Sequence, residues 1–139
     1  MPESVSTGSR PPISAEKSSE RIETLAIFER EPVLEHVREL ERVAREALQP
    51  LWERYDCIGD VRVVGCFIGV EFVRDRTTKE RDPELQEAVA WACARRGLLA
   101  DSSMTSLNLQ PSLVTPLDVM ERAVGILEGA IAAALAGEA

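Results

Sequence analysis

The stretch Gly59-Asp60-Val61-Arg62-Val63-Val64-Gly65-Cys66-Phe67-Ile68-Gly69-Val70-Glu71-Phe72-Val73 decides the fold. Its β-branched and aromatic side chains suit a pleated, half-buried surface. Gly65 and Gly69 interrupt it where a bend, a bulge or a close backbone approach would fit. Two short strands or one bent strand both satisfy Val61 to Val73, and Gly59-Asp60 reads as the turn that leads into them.

Upstream, the pattern is helical. Val33, Val37, Leu40, Ala44, Ala47, Leu48 and Leu51 recur at three- and four-residue spacing, opposite a charged face of Glu35, Arg38, Glu39, Arg42, Arg45 and Glu46. Pro32 suits the first turn, and Pro50 predicts a kink or stop near Leu48, with a weak continuation through Trp52. An earlier helix is predicted from a cap at Ser14 to about Arg30, with Ile22, Leu25, Ala26 and Phe28 as its apolar positions. Residues 1–12, rich in Ser, Pro, Gly and Thr, read as a flexible arm, and residues 13–139 as the domain.

Downstream, Arg74 to Asp82 is nearly all charged or polar and predicts an exposed loop. Pro83 opens a third helix through Leu85, Val89 and Ala92, with Gly97 at its C′ position. Leu98 to Ala100 and Leu107 to Gln110 are candidate strands about a polar turn. Thr115-Pro116 is read as cap and first residue of a last helix whose seam is Leu117, Met120, Val124, Leu127, Ile131 and Ala134. The total is an α/β domain: a small antiparallel or mixed sheet of three to four strands covered by about four helices.

Composition narrows the function. The chain has 139 residues, 45% hydrophobic and 29% charged, enough for one domain with its own core. A net charge of -8 disfavours nucleic acid and anionic membrane surfaces, which call for a basic patch. The longest apolar run, Ala130 to Ala136, is too short to span a bilayer, and the N-terminus lacks a signal-peptide layout, so the expected location is the cytoplasm. Cys57, Cys66 and Cys93 show no Cys-x-x-Cys spacing and read as small buried hydrophobes.

The glycine ladder, the Arg95-Arg96-Gly97-Leu98-Leu99 run, the Gln110-Pro111-Ser112-Leu113-Val114-Thr115 turn and the helix around Glu23 to Glu31 stand in a distinctive order. Together they resemble the small C-terminal domain of the class III pyridoxal-phosphate aminotransferases, over about Pro12 to Ala136. The resemblance implies a domain that closes over a cofactor held elsewhere. It transfers an amino group between an amine or amino acid and a 2-oxo acid only with a separate large cofactor-binding domain. The alternative is a non-catalytic binding or oligomerisation module, or a degenerate remnant of such an enzyme.

Site residues follow from the same resemblance. The family's arginine before the proline turn, which pairs with a substrate carboxylate, corresponds to Asn108 here, an uncharged group; Gln110 and Ser112 lie beside it. Asn108 and Gln110 are the expected substrate contacts. Thr7 falls on the family's loop that reaches the cofactor phosphate of a neighbouring subunit, although Arg10 and Pro11 depart from the pattern there. Arg62 and Glu71 match family positions and read as a structural ion pair. No catalytic residue and no metal site is expected.

Pyridoxal phosphate demands a Schiff-base lysine, an acid at the pyridinium nitrogen and a phosphate cradle. The two lysines, Lys17 and Lys79, lie at a helix entrance and in the charged segment, neither setting one that depresses an amine pKa. The family's lysine lies upstream of this chain. Met1 heads a plausible native start, so the large domain could be encoded separately, lost or removed by gene truncation; the expected partner is a separate large aminotransferase domain or another copy of the chain.

Three weaker signals are set aside. Ser14-Ala15-Glu16-Lys17 matches a serine-hydrolase motif without the rest of the hydrolase. Gly125 and Gly129 suggest close helix packing in the core. His36, the only histidine, stands among charged residues with no triad or metal partner in view.

Overall fold

A computed structural model describes residues 15–103 and 105–138, which fall into two compact units divided between Pro32 and Val33. In the first, α1 spans Ala15–Arg30, and the Glu31 amide donates to the Ile27 carbonyl at 2.8 Å. Ile22, Leu25 and Phe28 are exposed. The arm at residues 1–12 and the cap expected at Ser14 lie outside the described residues.

The second unit runs α2 (Val33–Arg54), β1 (Ile58–Val64), β2 (Phe67–Asp75), β3 (Glu80–Arg81), α3 (Pro83–Arg95), β4 (Asp101–Ser102), β5 (Leu107–Leu109) and α4 (Leu117–Leu135). The sheet has the order β1-β2-β5-β4, with β3 also paired to β2. Every pairing is antiparallel. The α/β architecture is the one expected from the sequence, and two of its five strands are only two residues long.

The ladder forms a hairpin. Gly65 takes φ +56 between β1 and β2, a glycine-first turn whose twist matches that of paired strands. Pairing of Val63 with Ile68 and of Val61 with Val70 puts these four on one face. Arg62 opposite Gly69 and Val64 opposite Phe67 occupy the other. The inner face packs Val63, Ile68, Val70, Phe72, Leu107 and Leu109 against Leu40, Ala44 and Leu48 of α2, Val89 and Cys93 of α3, and Leu127 and Ile131 of α4.

Helix α2 ties down the turn. Glu41 accepts from the Gly65 amide at 2.8 Å and from the Arg45 guanidinium, which also donates to the Val63 carbonyl. The Arg45 and Gly65 hydrogen bonds hold the Glu41 carboxyl below its usual range. Arg76 donates to the carbonyls of Ile58 and Tyr55, both at 2.8 Å, and stacks 4.7 Å from the Trp52 ring centroid. Side chains thus occupy backbone groups on β1, an edge strand that would otherwise invite a further strand.

Several local expectations are corrected. Helix α2 continues through Pro50 to Arg54. Leu48 and Leu51 are buried on either side of the proline, while Pro50 and Glu46 face water, which can solvate the carbonyl that lost its partner. Gly59 and Asp60 lie within β1 at a register shift rather than in a turn. The segment Arg74 to Asp82 is the end of β2, a turn and β3, because Asp75 accepts from the amides of Thr77 and Thr78 and closes the chain on itself. The first of the two later strands is Asp101–Ser102, not Leu98 to Ala100.

At the helix ends, Asp82 caps α3 by accepting from the Leu85 amide at 3.0 Å. Gly97 at φ +85 closes it, with the Leu98 amide on the Cys93 carbonyl at 3.0 Å. Pro116 rather than Thr115 is the N-cap of α4, and no side chain caps it. Gly125 has open space around it, so close packing there is not the reason for that glycine. His36 is part-buried with Nε2 2.7 Å from the Thr115 carbonyl, tying α2 to the segment before α4. Among the described residues no helix is long and apolar enough to cross a membrane.

Gly59 leaves room for Val73: a Cβ there would stand 2.5 Å from Val73 Cγ1, so the buried valine would have to shift. Gly59→Ala should destabilise the domain by about 1–3 kcal/mol through overpacking, read from urea unfolding midpoints. Burial pushes the Cys93 thiol from 9.0 up to about 11. The unfolded thiol therefore ionises first, and stability should fall as the pH rises from 9 toward 11. Cys93→Ala should flatten that part of the stability profile relative to the parent chain.

Candidate functional site

The outer face of the sheet is built by the same register that builds the core. Arg62 on β1 pairs with Gly69 on β2, Gly69 with Asn108 on β5, and Asn108 with Asp101 on β4. These four residues form one row across the sheet. Gly69 has no side chain, so the row has a notch between Arg62 and Asn108. A Cβ at Gly69 would lie 3.4 Å from Asn108 Oδ1 and 3.6 Å from Ser106 Oγ, and would narrow it.

The notch opens into a cleft of about 210 Å³ lined by Arg62, Val64, Phe67, Ile68, Gly69, Ser106, Asn108 and Gln110. Val64 and Phe67 are 71% and 69% exposed, an unusual degree for neighbouring apolar side chains, and they rim the cleft at the hairpin tip. Asn108 and Gln110, the substrate contacts expected from the sequence, meet here. Ser112 does not line this cleft: its carbonyl and hydroxyl accept from the amides of Thr115 and Val114, as a turn residue's would. Thr7 lies outside the described residues.

The Asn108 side chain is held at both its oxygen and its nitrogen. Ser106 Oγ donates to Asn108 Oδ1 at 2.8 Å, and Asn108 Nδ2 donates to Ser103 Oγ at 3.0 Å. Ser103 Oγ in turn donates to the Ser106 carbonyl at 2.9 Å. Beneath this ring, the buried Gln86 of α3 donates to Ser102 Oγ at 2.9 Å and to the Ser103 carbonyl at 2.6 Å. Gln86, Ser103 and Ser106 were not singled out in the sequence. The only signal was a polar turn between two candidate strands, and its contact with α3 is tertiary.

Arg62 is held loosely. Its Nη1 lies 3.4 Å from Asp60 Oδ2 and 3.8 Å from Glu71 Oε2, with the guanidinium half exposed. The expected Arg62 and Glu71 pairing is present at ion-pair distance, without a hydrogen bond of good length.

Matching of family patterns identifies the lineage: the class III aminotransferases are matched over residues 17–131. The chain belongs to this family. It corresponds to the family's small C-terminal domain, the part its glycine ladder and later elements resemble. It is 36% identical over 110 residues to (R)-1-hydroxy-2-aminoethylphosphonate ammonia-lyase of Vibrio splendidus, covering 78% of this chain and 23% of that protein. It is 34% identical over 118 residues to alanine/serine racemase of Pyrococcus horikoshii, covering 83% and 24%. The structure of adenosylmethionine-8-amino-7-oxononanoate aminotransferase from Methanocaldococcus jannaschii superposes with a TM-score of 0.71 at 28% identity, over 78% of this chain and 25% of that one. The chain thus spans about a quarter of the length of these relatives, whose names cover a lyase, a racemase and a transferase.

The family's cofactor is pyridoxal phosphate, and Lys79 is the lysine whose side chain is described. Lys79 sits at φ 59 in the turn between β2 and β3, its Nζ donating to the Gly59 carbonyl at 3.0 Å, and it does not line the cleft over Gly69. The side chain of Lys17 lies outside the described residues. Among the described residues no group of three or more His, Cys, Asp and Glu side chains could hold a metal ion.

Ser106→Ala removes the hydroxyl that satisfies Asn108 Oδ1. It should lower stability by about 1–2 kcal/mol in urea unfolding. The Asn108 side-chain amide resonances should lose their dispersion.

Proposed function

We propose that this chain acts as the closing small domain of a pyridoxal-phosphate enzyme of the class III aminotransferase family, with residues 13–139 as the working unit. A separate large domain would hold the cofactor, whose contribution when bound is to stabilise negative charge at the substrate carbon bearing the amino group. In this reading the reaction is transfer of an amino group between an amine or amino acid and a 2-oxo acid. The residues of this chain contribute binding, orientation and exclusion of water.

The observation that carries the proposal is the outer sheet face: a polar notch at Gly69, Asn108 and Gln110 rimmed by exposed Val64 and Phe67. An apolar rim around convergent polar groups is the composition of half a pocket. Docking a second domain against Val64 and Phe67 would bury them and dry the notch, which strengthens each polar contact within it. Gln110, exposed and at the cleft edge, would meet the substrate's polar atoms, while the fixed Asn108 would set the shape of the wall.

One observation favours the second reading, a non-catalytic binding module. Asn108 is neutral and its amide is engaged by Ser103 and Ser106, so the position has little left with which to select an acid. The readings separate on assembly. A tagged chain expressed in its native host should co-purify with a lysine-bearing large domain showing the visible absorption of a pyridoxal Schiff base. Val64→Asp with Phe67→Asp should break that complex and abolish amino transfer while leaving the fold intact by circular dichroism. A stable solitary chain with no such partner would favour the module. A pyridoxal adduct on Lys17 or Lys79 with turnover by the chain alone would overturn the proposal that the cofactor site lies elsewhere.

A further inference from the structure

Arg62 is the only charged side chain among the residues that line the cleft over Gly69. Among the described residues its guanidinium makes no hydrogen bond, only ion-pair contacts. Asn108 Oδ1 accepts from Ser106, and Asn108 Nδ2 faces Ser103 Oγ at 3.0 Å and the Ser106 carbonyl at 3.5 Å. Ser106 Oγ donates inward to the same asparagine. The Arg62 guanidinium, by contrast, has two loose ion-pair contacts among the described residues, at 3.4 Å to Asp60 and 3.8 Å to Glu71.

The register gives this arginine somewhere to reach. Gly69 pairs directly with Arg62, and the space above it is bounded beyond by Asn108. Adjacent strands stand about 4.8 Å apart, so Gly69 lies one strand spacing from Arg62 and within reach of an extended arginine side chain, with Asn108 one spacing further on. A guanidinium laid over Gly69 presents a planar fork of N–H donors that matches a carboxylate through two parallel bonds. Val64 and Phe67 would cover the carbon skeleton behind that carboxylate.

We infer that the cleft is an anion site in which Arg62 binds the carboxylate of a small organic acid across the Gly69 notch. The inference rests on the proposed function for its biological meaning, since the acid would be a substrate of the closed enzyme. Binding itself is a property of this chain. Asp60 and Glu71 compete for the same guanidinium, which makes the site weak in the open chain and sensitive to salt. Exclusion of water by a docked partner would strengthen it.

The test is titration of the isotope-labelled chain with sodium propanoate at constant ionic strength, following the Arg62 Nε–Hε and Gly69 amide resonances. Propylammonium chloride is the control of similar size and opposite charge. Propanoate should shift both resonances saturably while propylammonium leaves them in place. Arg62→Gln should weaken binding about tenfold or more, Arg62→Lys less, and Arg74→Gln, an exposed arginine near the far end of β2, should bind as the parent does. Because Arg62 is exposed, unchanged inner-face resonances of Val63 and Ile68 will report an intact hairpin. Shifts that survive in Arg62→Gln, equal shifts with propylammonium, or no saturable shift would overturn the inference. Loss of propanoate binding with an intact large-domain complex would leave the docking proposal standing; propanoate binding by a chain that forms no such complex would do the reverse.

Discussion

The register of β1 on β2 is the constraint on which the rest of the structure depends. The side-chain period of a strand is two, so a slip of one residue in β1 against a fixed β2 would turn Val61 and Val63 outward and bring Arg62 to the core face. Two devices prevent it. Gly65 makes the turn at a backbone angle disfavoured for other residues, and Glu41 with Arg45 on α2 holds the turn amide and the Val63 carbonyl. The hairpin is thereby oriented by its own turn and by the helix beneath it, and both faces of the sheet follow.

Those two faces divide the labour of the chain. The inner face joins α2, α3 and α4 in one apolar core that includes two of the three cysteines, whose burial raises their thiol pKa values and leaves them protonated near neutrality. The outer face carries Arg62, Gly69 and Asn108 in one row, beneath an exposed apolar tip. The chain that carries them belongs to the class III aminotransferases and spans about a quarter of its relatives' length.

Much of this was legible before the structure. The helical seams of α2 and α4, the proline start and glycine stop of α3, and the β character of Val61 to Val73 are short-range patterns governed by backbone geometry and side-chain spacing. The misread segments share a different cause. Pro50 does not stop α2, because Leu48 and Leu51 are both buried in the core, a gain that helix propensity does not contain. The charged run after Val73 becomes a hairpin through Asp75 and its neighbouring amides, and Gly59 is in a strand because it clears Val73, not because it turns. Within the cleft, Asn108 and Gln110 were visible through the family pattern. Gln86, Ser103 and Ser106 were not, since their meeting depends on how α3 lies against the turn before β5.

Read alone, the sequence determined the class of fold and the family, because each rests on local spacing or on residue identity. Tertiary structure decided what the outer face can do. Only the pairing of three strands brings Arg62, Gly69 and Asn108 into one row, and only the serine ring around Asn108 shows that its amide is engaged while the arginine across the notch retains its donors. Hydrogen-bond capacity left over after folding is a property of the assembled chain, since it depends on which partners packing has already placed within reach.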